Sequence, residues 1–242
     1  MNKRVGSRPV GIRPGFSNVY GAKEINSGGD VDLSASKAHI YKFLAEVLNY
    51  PVEKVLSAIT TKAFADEMAE ALLAQPQKVK EAMAQLEKVS GEESTNFEKW
   101  VLDLEKEYTW MFLASRPRLV HLFESVYKEG KLFQESTFEI ARIYDQAGLT
   151  PREEFKLPPD HIALEFELMA YLAFQETEAG RQGNQENQIY SVFLQEKVLN
   201  EHLGPFALNV AEKMAAHART NFYRSVAELI KAFLQPNGSG IS

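Results

Sequence analysis

Residues Leu157-Pro158-Pro159-Asp160-His161 stand directly before an apolar stretch that runs from Ile162 to about Phe174. Each proline fixes its own φ and pushes the residue before it away from α geometry, so a helix starts just after them. Asp160 is placed to cap the first turn, where its charge also suits the positive end of the helix dipole. Ile162, Phe166, Met169 and Ala173 recur at helical spacing, while Leu164, Leu168, Tyr171 and Leu172 fill much of the other side. A helix apolar nearly all round is buried on all sides, so the rest of the chain has to pack around it. Glu165 and Glu167 are carried inside this run, with His161 one turn before Glu165.

The remaining segments read the same way. Ile40, Phe43, Leu44, Val47 and Leu48 fall at i, i+3, i+4, i+7 and i+8, behind Ser34 or Ser36 as a cap and ahead of Pro51 as a stop. Phe64, Met68 and Leu72 mark a second helix, and a polar third one spans about Val79–Val89, followed by a loop at Gly91–Ser94. A long helix carries Phe97, Trp100, Val101, Leu104, Tyr108 and Met111 on one face, with Glu105, Lys106 and Glu107 toward solvent. Ala114–Gly130 reads as irregular. A helix over Ser136–Gln146 stops at Gly148, a natural C′ glycine. Further helices cover Ile189–Leu203, the segment with Phe206, Val210 and Met214, and that with Phe222, Val226, Leu229, Ile230 and Phe233. Period-two alternation is absent throughout. The expected fold is therefore all-α, a single-domain bundle of about nine or ten helices over residues 34–235. Residues 1–33 read as an extended tail, 150–159 as a charged, proline-bounded linker, and 236–242 as a short C-terminal tail.

Charge and composition exclude several functions. A net charge of −6 argues against a nucleic-acid partner. The chain has no cysteine, which removes thiolate metal sites, iron–sulfur ligation and thiol catalysis. No apolar run approaches the roughly 20 residues of a membrane span. Lys3, Arg4 and Arg8 have no apolar core behind them, unlike a secretory signal, so the expected compartment is the cytoplasm. None of the five histidines stands in Glu-x-x-His or His-Glu-x-x-His spacing, and no phosphate-binding Gly-x-x-x-x-Gly-Lys-Ser/Thr loop or Gly-x-Ser-x-Gly elbow occurs. No metal, cofactor or catalytic set is expected.

The Pro158-x-Asp160-His161 start, with its helix ending in Leu168-Met169, resembles a signature of the TorD/DmsD/NarJ family of molybdoenzyme-specific chaperones, although Leu157 stands where that family usually has a glutamate. Supporting segments are similar too. Glu107-Tyr108-Thr109-Trp110-Met111-Phe112 resembles the family's aromatic-x-x-Leu-Phe helix end, and Glu124-Ser125-Val126-Tyr127 its Ser-Val-aromatic segment. Glu201-His202-Leu203 with Phe206 is similar to its His-Leu-x-x-Trp junction, and Phe222-Tyr223-x-x-Val226-Ala227 to its last helix. The resemblance covers about Ala38 to Leu234. It implies a cytoplasmic, non-enzymatic chaperone that binds the twin-arginine signal peptide of a molybdenum or tungsten oxidoreductase precursor. Such a chaperone assists cofactor insertion before export.

A peptide with a cationic start and an apolar core calls for an apolar groove with acidic groups at its rim. Tyr108, Met111, Phe112 and Tyr127 are the expected groove residues, and methionine suits varied apolar partners. Ser125, Pro158, Asp160, His161 and Glu165 complete the expected peptide site. The linker 150–159 can act as a hinge in such proteins, leaving a monomer or a domain-swapped dimer open. The alternative reading is a guanine-nucleotide-binding or hydrolytic helical protein, with weak GTP binding at the Asp160–His161 helix start.

Overall fold

The computed structural model describes residues 32–149 and 157–235. Residues 1–31 of the expected tail (1–33), residues 150–156 of the expected linker (150–159) and the C-terminal tail (236–242) lie outside the described residues, whereas Asp32 and Leu33 of the expected tail already cap and begin a helix. Eleven α-helical segments occur among the described residues. They are α1 (Leu33–Val47), α2 (Glu53–Ile59), α3 (Lys62–Leu72), α4 (Gln77–Glu93), α5 (Phe97–Tyr108), α6 (Glu124–Glu129), α7 (Glu135–Gln146), α8 (Ile162–Arg181), α9 (Gln185–Val198), α10 (Gly204–His217) and α11 (Asn221–Leu234). A π turn over Thr109–Ala114 prolongs α5, and another over Leu199–Leu203 joins α9 to α10 in one continuous helical run. The described part holds no strand, only one antiparallel bridge between Phe123 and His161.

The apolar helix is central, as its composition requires. α8 packs along α1 on one side and α9 on another, while α11 joins α4 to α10. Ile162, Phe166, Leu168, Met169 and Leu172 share one core with Ile40 and Leu44 of α1, Leu194 and Val198 of α9, and Val226 and Ile230 of α11. The second π turn needs Gly204, because a Cβ there would lie 2.3 Å from the Leu199 carbonyl oxygen. The extra residue of a π turn widens the helix locally and shifts the side chains that follow.

Several local expectations are corrected. The cap of α1 is Asp32, whose carboxylate accepts from Ser34 N–H at 2.9 Å. Ser36 is instead buried; its hydroxyl donates to the Ala71 carbonyl and accepts from Gln75 Nε2 at 2.7 Å, tying α1 to the end of α3. α2 was hidden because seven residues give too little periodicity to read. Gly91–Glu93 belongs to α4, not to a loop. Ala114–Gly130 is irregular only up to Phe123, after which α6 forms. Glu107 is buried rather than solvated, because its carboxylate caps α11 across the fold. It accepts from the Arg219 N–H, and from Thr220 N–H at 3.0 Å.

Candidate functional site

Asp160 does not cap α8. Its carboxylate accepts from Ser125 N–H at 3.0 Å, and its carbonyl accepts from Glu124 N–H at 2.9 Å. Asp160 thus satisfies the free N-terminal amides of α6, a helix 35 residues earlier in the chain. The cap of α8 is His161, whose Nδ1 accepts from Ala163 N–H at 3.2 Å. That role puts the ring proton on Nε2, and burial lowers the imidazole pKa to about 4, so the ring is neutral at pH 7. The seam is completed by Ile162 N–H donating to the Leu122 carbonyl at 2.9 Å and by the Phe123 ring 5.1 Å from the His161 ring. Pro158 supports it with its carbonyl, which accepts from His161 N–H at 3.1 Å.

Behind this seam lies a buried acidic cluster. Glu124, Asp160 and Glu165 are all fully buried. Lys128 Nζ lies 2.6 Å from Glu124 and donates to the Glu201 carbonyl at 2.6 Å, while His202 Nδ1 lies 3.0 Å from the Glu124 carboxylate. These contacts join α6 to the second π turn. Among the described residues, neither oxygen of Glu165 has a hydrogen-bond partner, nor do Asp160 Oδ1, Ser125 Oγ and the Tyr144 hydroxyl. Burial first, then the charges of Glu124 and Asp160, raise the Glu165 pKa well above the usual carboxylate range; Lys128 opposes them. Glu165 therefore keeps its proton to a higher pH than an ordinary carboxylate does. Burial first, then Glu165, Glu167 and Asp160, also push the Tyr144 phenol up. Two residues further along α8, and so on the other side of the helix, Glu167 is raised to about 7 by burial and by Glu46 of α1.

The expected groove residues are placed differently from the sequence reading. Tyr108, Met111 and Phe112 are core residues. The π turn carries Met111 and Phe112 inward, where the Phe112 ring lies 4.7 Å from Tyr108 and 6.0 Å from Tyr223. Their apolar pattern marked a buried face, and burial is the commoner reason for such a pattern. Tyr127 is partly exposed, between Phe206 at 5.3 Å and the Lys213 ammonium at 5.3 Å from its ring.

The open groove lies on the outer side of the same α5–π-turn element. It measures about 410 Å³ and is walled by Tyr50, Leu102, Trp110 and Ala114, with Glu105 and Lys106 at the rim. Tyr50, Leu102 and Leu113 are exposed large apolar residues. The Arg219 guanidinium stacks 3.5 Å from the centre of the Trp110 ring and so fixes that wall. The Tyr50 ring meets Tyr108 edge-on at 5.4 Å, so the buried aromatics support the groove from beneath. The sequence reading did not single out Trp110; a tryptophan outside the periodic buried face of α5 is the signal that could have marked it.

Among the described residues no group of three or more histidines and carboxylates is arranged to hold a metal ion, and no helix is long and apolar enough to cross a membrane.

Residues 72–212 match the family described as nitrate reductase delta subunit. No curated protein matches the chain. A crystal structure of an Archaeoglobus fulgidus protein described as a redox enzyme maturation protein shares the fold. Its TM-score is 0.52 and its identity 20%, and the match covers 90% of this chain and 98% of that one.

Proposed function

Because the chain belongs to the nitrate reductase delta subunit family, the NarJ/TorD-like chaperones, we propose that it is a redox enzyme maturation chaperone with a peptide client. The client is the twin-arginine signal peptide of a molybdenum or tungsten oxidoreductase precursor, held in the cytoplasm until its cofactor is inserted. The observation that carries this reading is the open groove of Tyr50, Leu102 and Trp110 on a chain of net charge −6. Its aromatic walls suit the apolar core of such a peptide, and Glu105 with the acidic body attracts the arginine pair.

The residues expected from sequence then divide into two roles. Tyr108, Met111 and Phe112 shape the groove from below. Ser125, Pro158, Asp160, His161 and Glu165 hold the α6–α8 seam, with Tyr127 at its exposed margin, and opening of that seam exposes acidic groups to the client. The linker 150–159 is the proposed hinge, in a monomer or an exchanged dimer. The chain supplies binding, not catalysis. No observation favours the guanine-nucleotide alternative.

The test is titration of the full chain with a synthetic twin-arginine signal peptide and, separately, with GTP. Saturable peptide binding that weakens as salt rises is expected, because exposed charges are screened within about 8–10 Å at physiological ionic strength. GTP binding without peptide binding would overturn the proposal.

A further inference from the structure

Arg219 stands in the turn between α10 and α11, and its guanidinium lies 3.5 Å from the centre of the Trp110 ring. The side chain is exposed, and among the described residues its guanidinium has no hydrogen-bond or ion-pair partner. Other exposed arginines pair with carboxylates, as Arg142 does with Glu135 at 2.7 Å and Arg181 with Glu178 at 2.9 Å. The Arg219 backbone is held separately. Its N–H donates to the buried Glu107 carboxylate, which also accepts from Thr220 N–H at 3.0 Å. The side chain can therefore leave the ring without disturbing the start of α11. Trp110 itself is half-buried and walls the open groove with Tyr50 and Leu102, whereas Arg219 is not one of the groove walls. One ring thus serves an apolar groove and, beside it, a face that accepts a guanidinium.

We propose that this face of Trp110 is a guanidinium subsite for one arginine of the client, and that Arg219 is its stand-in, displaced when the client binds. The inference rests on the reading of the groove as a signal-peptide site. The chain's own side chain supplies the first support, since it holds a guanidinium against the ring at stacking distance. Charge balance supplies the second. One guanidinium moves into water as another arrives, so the local charge beside the buried Glu107 carboxylate is unchanged. The exchange is also cheap, because a cation on an exposed aromatic face is worth only about two- to five-fold in an equilibrium constant. Order along the peptide is the third support. In a twin-arginine signal the arginine pair precedes the apolar core, so a subsite for arginine has to adjoin an apolar groove. Lysine is the poorer occupant, because its compact, strongly hydrated ammonium lacks the planar face of a guanidinium.

The test is calorimetric titration of the full chain with a synthetic twin-arginine signal peptide, and with the same peptide carrying two lysines in place of the pair. Wild type is compared with Arg219→Gln and with Arg224→Gln, after thermal unfolding shows all three to be folded. Arg224 is the charge control, exposed on α11 and donating to the Asn221 side chain at 3.2 Å. Arg219→Gln keeps the backbone N–H to Glu107 and should bind the arginine peptide about two- to five-fold more tightly than wild type. Arg219→Ala should behave alike. The gain of Arg219→Gln for the lysine peptide, and of Arg224→Gln for either peptide, should stay below about two-fold. If wild type binds the arginine peptide and Arg219→Gln binds it equally or more weakly, Arg219 merely props the ring; the subsite is then refuted while the groove reading stands. An equal gain in Arg224→Gln, or an equal gain for the lysine peptide, would reduce the effect to net charge and overturn the subsite as well. Absence of peptide binding by wild type and Arg219→Gln alike would overturn the groove reading and the subsite together.

Discussion

Replacing Glu165 by Gln gives the protein a side chain of the same shape that is always neutral. In the wild type, Glu165 is fully buried, without a hydrogen-bond partner among the described residues and beside Glu124 and Asp160, so the folded state binds its proton more tightly than the unfolded chain does. For a carboxylate whose folded pKa is raised, the folded state holds more protons than the unfolded one at pH values between the unfolded and the folded pKa. Stability therefore falls as pH rises through that window, by about 1.4 kcal/mol per pH unit for this one group. The variant lacks that loss. Wild type and Glu165→Gln should differ least at the acid end of the range, near pH 5, and the variant should gain on the wild type as pH rises from there toward the raised folded pKa, by up to about 1.4 kcal/mol per unit. For a chain of this size that is roughly 3–6 °C in Tm per pH unit. Glu167, raised to about 7, slopes the same way and is common to both proteins. His161, lowered to about 4, has the opposite sign, since its stability is lost as pH falls from its ordinary value toward 4. It too cancels in the comparison. The assay is thermal unfolding followed by circular dichroism from pH 5 to pH 8.5. Parallel curves for the two proteins would refute a protonated Glu165.

Other substitutions separate the roles assigned above. His161→Ala removes the cap of α8 and should cost about 0.5–2 kcal/mol, whereas His161→Asn, which can still accept from Ala163 N–H, should cost less; urea unfolding measures both. Asp160→Ala leaves the Ser125 amide buried without a partner and should cost about 1–3 kcal/mol, less whatever relief comes from removing a charge beside Glu165. Phe112→Ala should act on stability first, by about 3–5 kcal/mol in thermal unfolding, because it empties a core site. Gly204→Ala should destabilise by about 1–3 kcal/mol in the same assay, since its Cβ collides with the Leu199 carbonyl unless the π turn shifts.

What could be read from the sequence and what could not divide along a physical line. Helix spacing is local, so α1, α5, α8 and α11 were legible from Ile40–Leu48, Phe97–Met111, Ile162–Ala173 and Phe222–Phe233. The prolines at 158 and 159 placed the start of α8 almost to the residue. Polar partners are not local. Asp160 read as the cap of α8 and His161 as a site residue, and only the approach of α6, from 35 residues away, decides that His161 caps α8 while Asp160 serves α6. Glu107 sits on what periodicity reads as a solvent face, yet the amides it satisfies lie more than 110 residues later. The site suffered for the same reason. Met111 and Phe112 have the composition of a ligand groove and of a core alike, and the π turn that sends them inward leaves no mark in the hydrophobic pattern. Leu102 and Tyr50 join Trp110 only because α5 and the end of α1 meet in the fold.

The central claim, that the outer groove of the α5–π-turn element holds the apolar core of a signal peptide, is tested most directly by one titration. Trp110→Ala and wild type are titrated by calorimetry with the same synthetic twin-arginine signal peptide, after thermal unfolding shows both to be folded. A groove anchor of this kind should lose about 1–3 kcal/mol, a roughly 5- to 150-fold weaker Kd. Unchanged affinity in the folded variant would contradict the account.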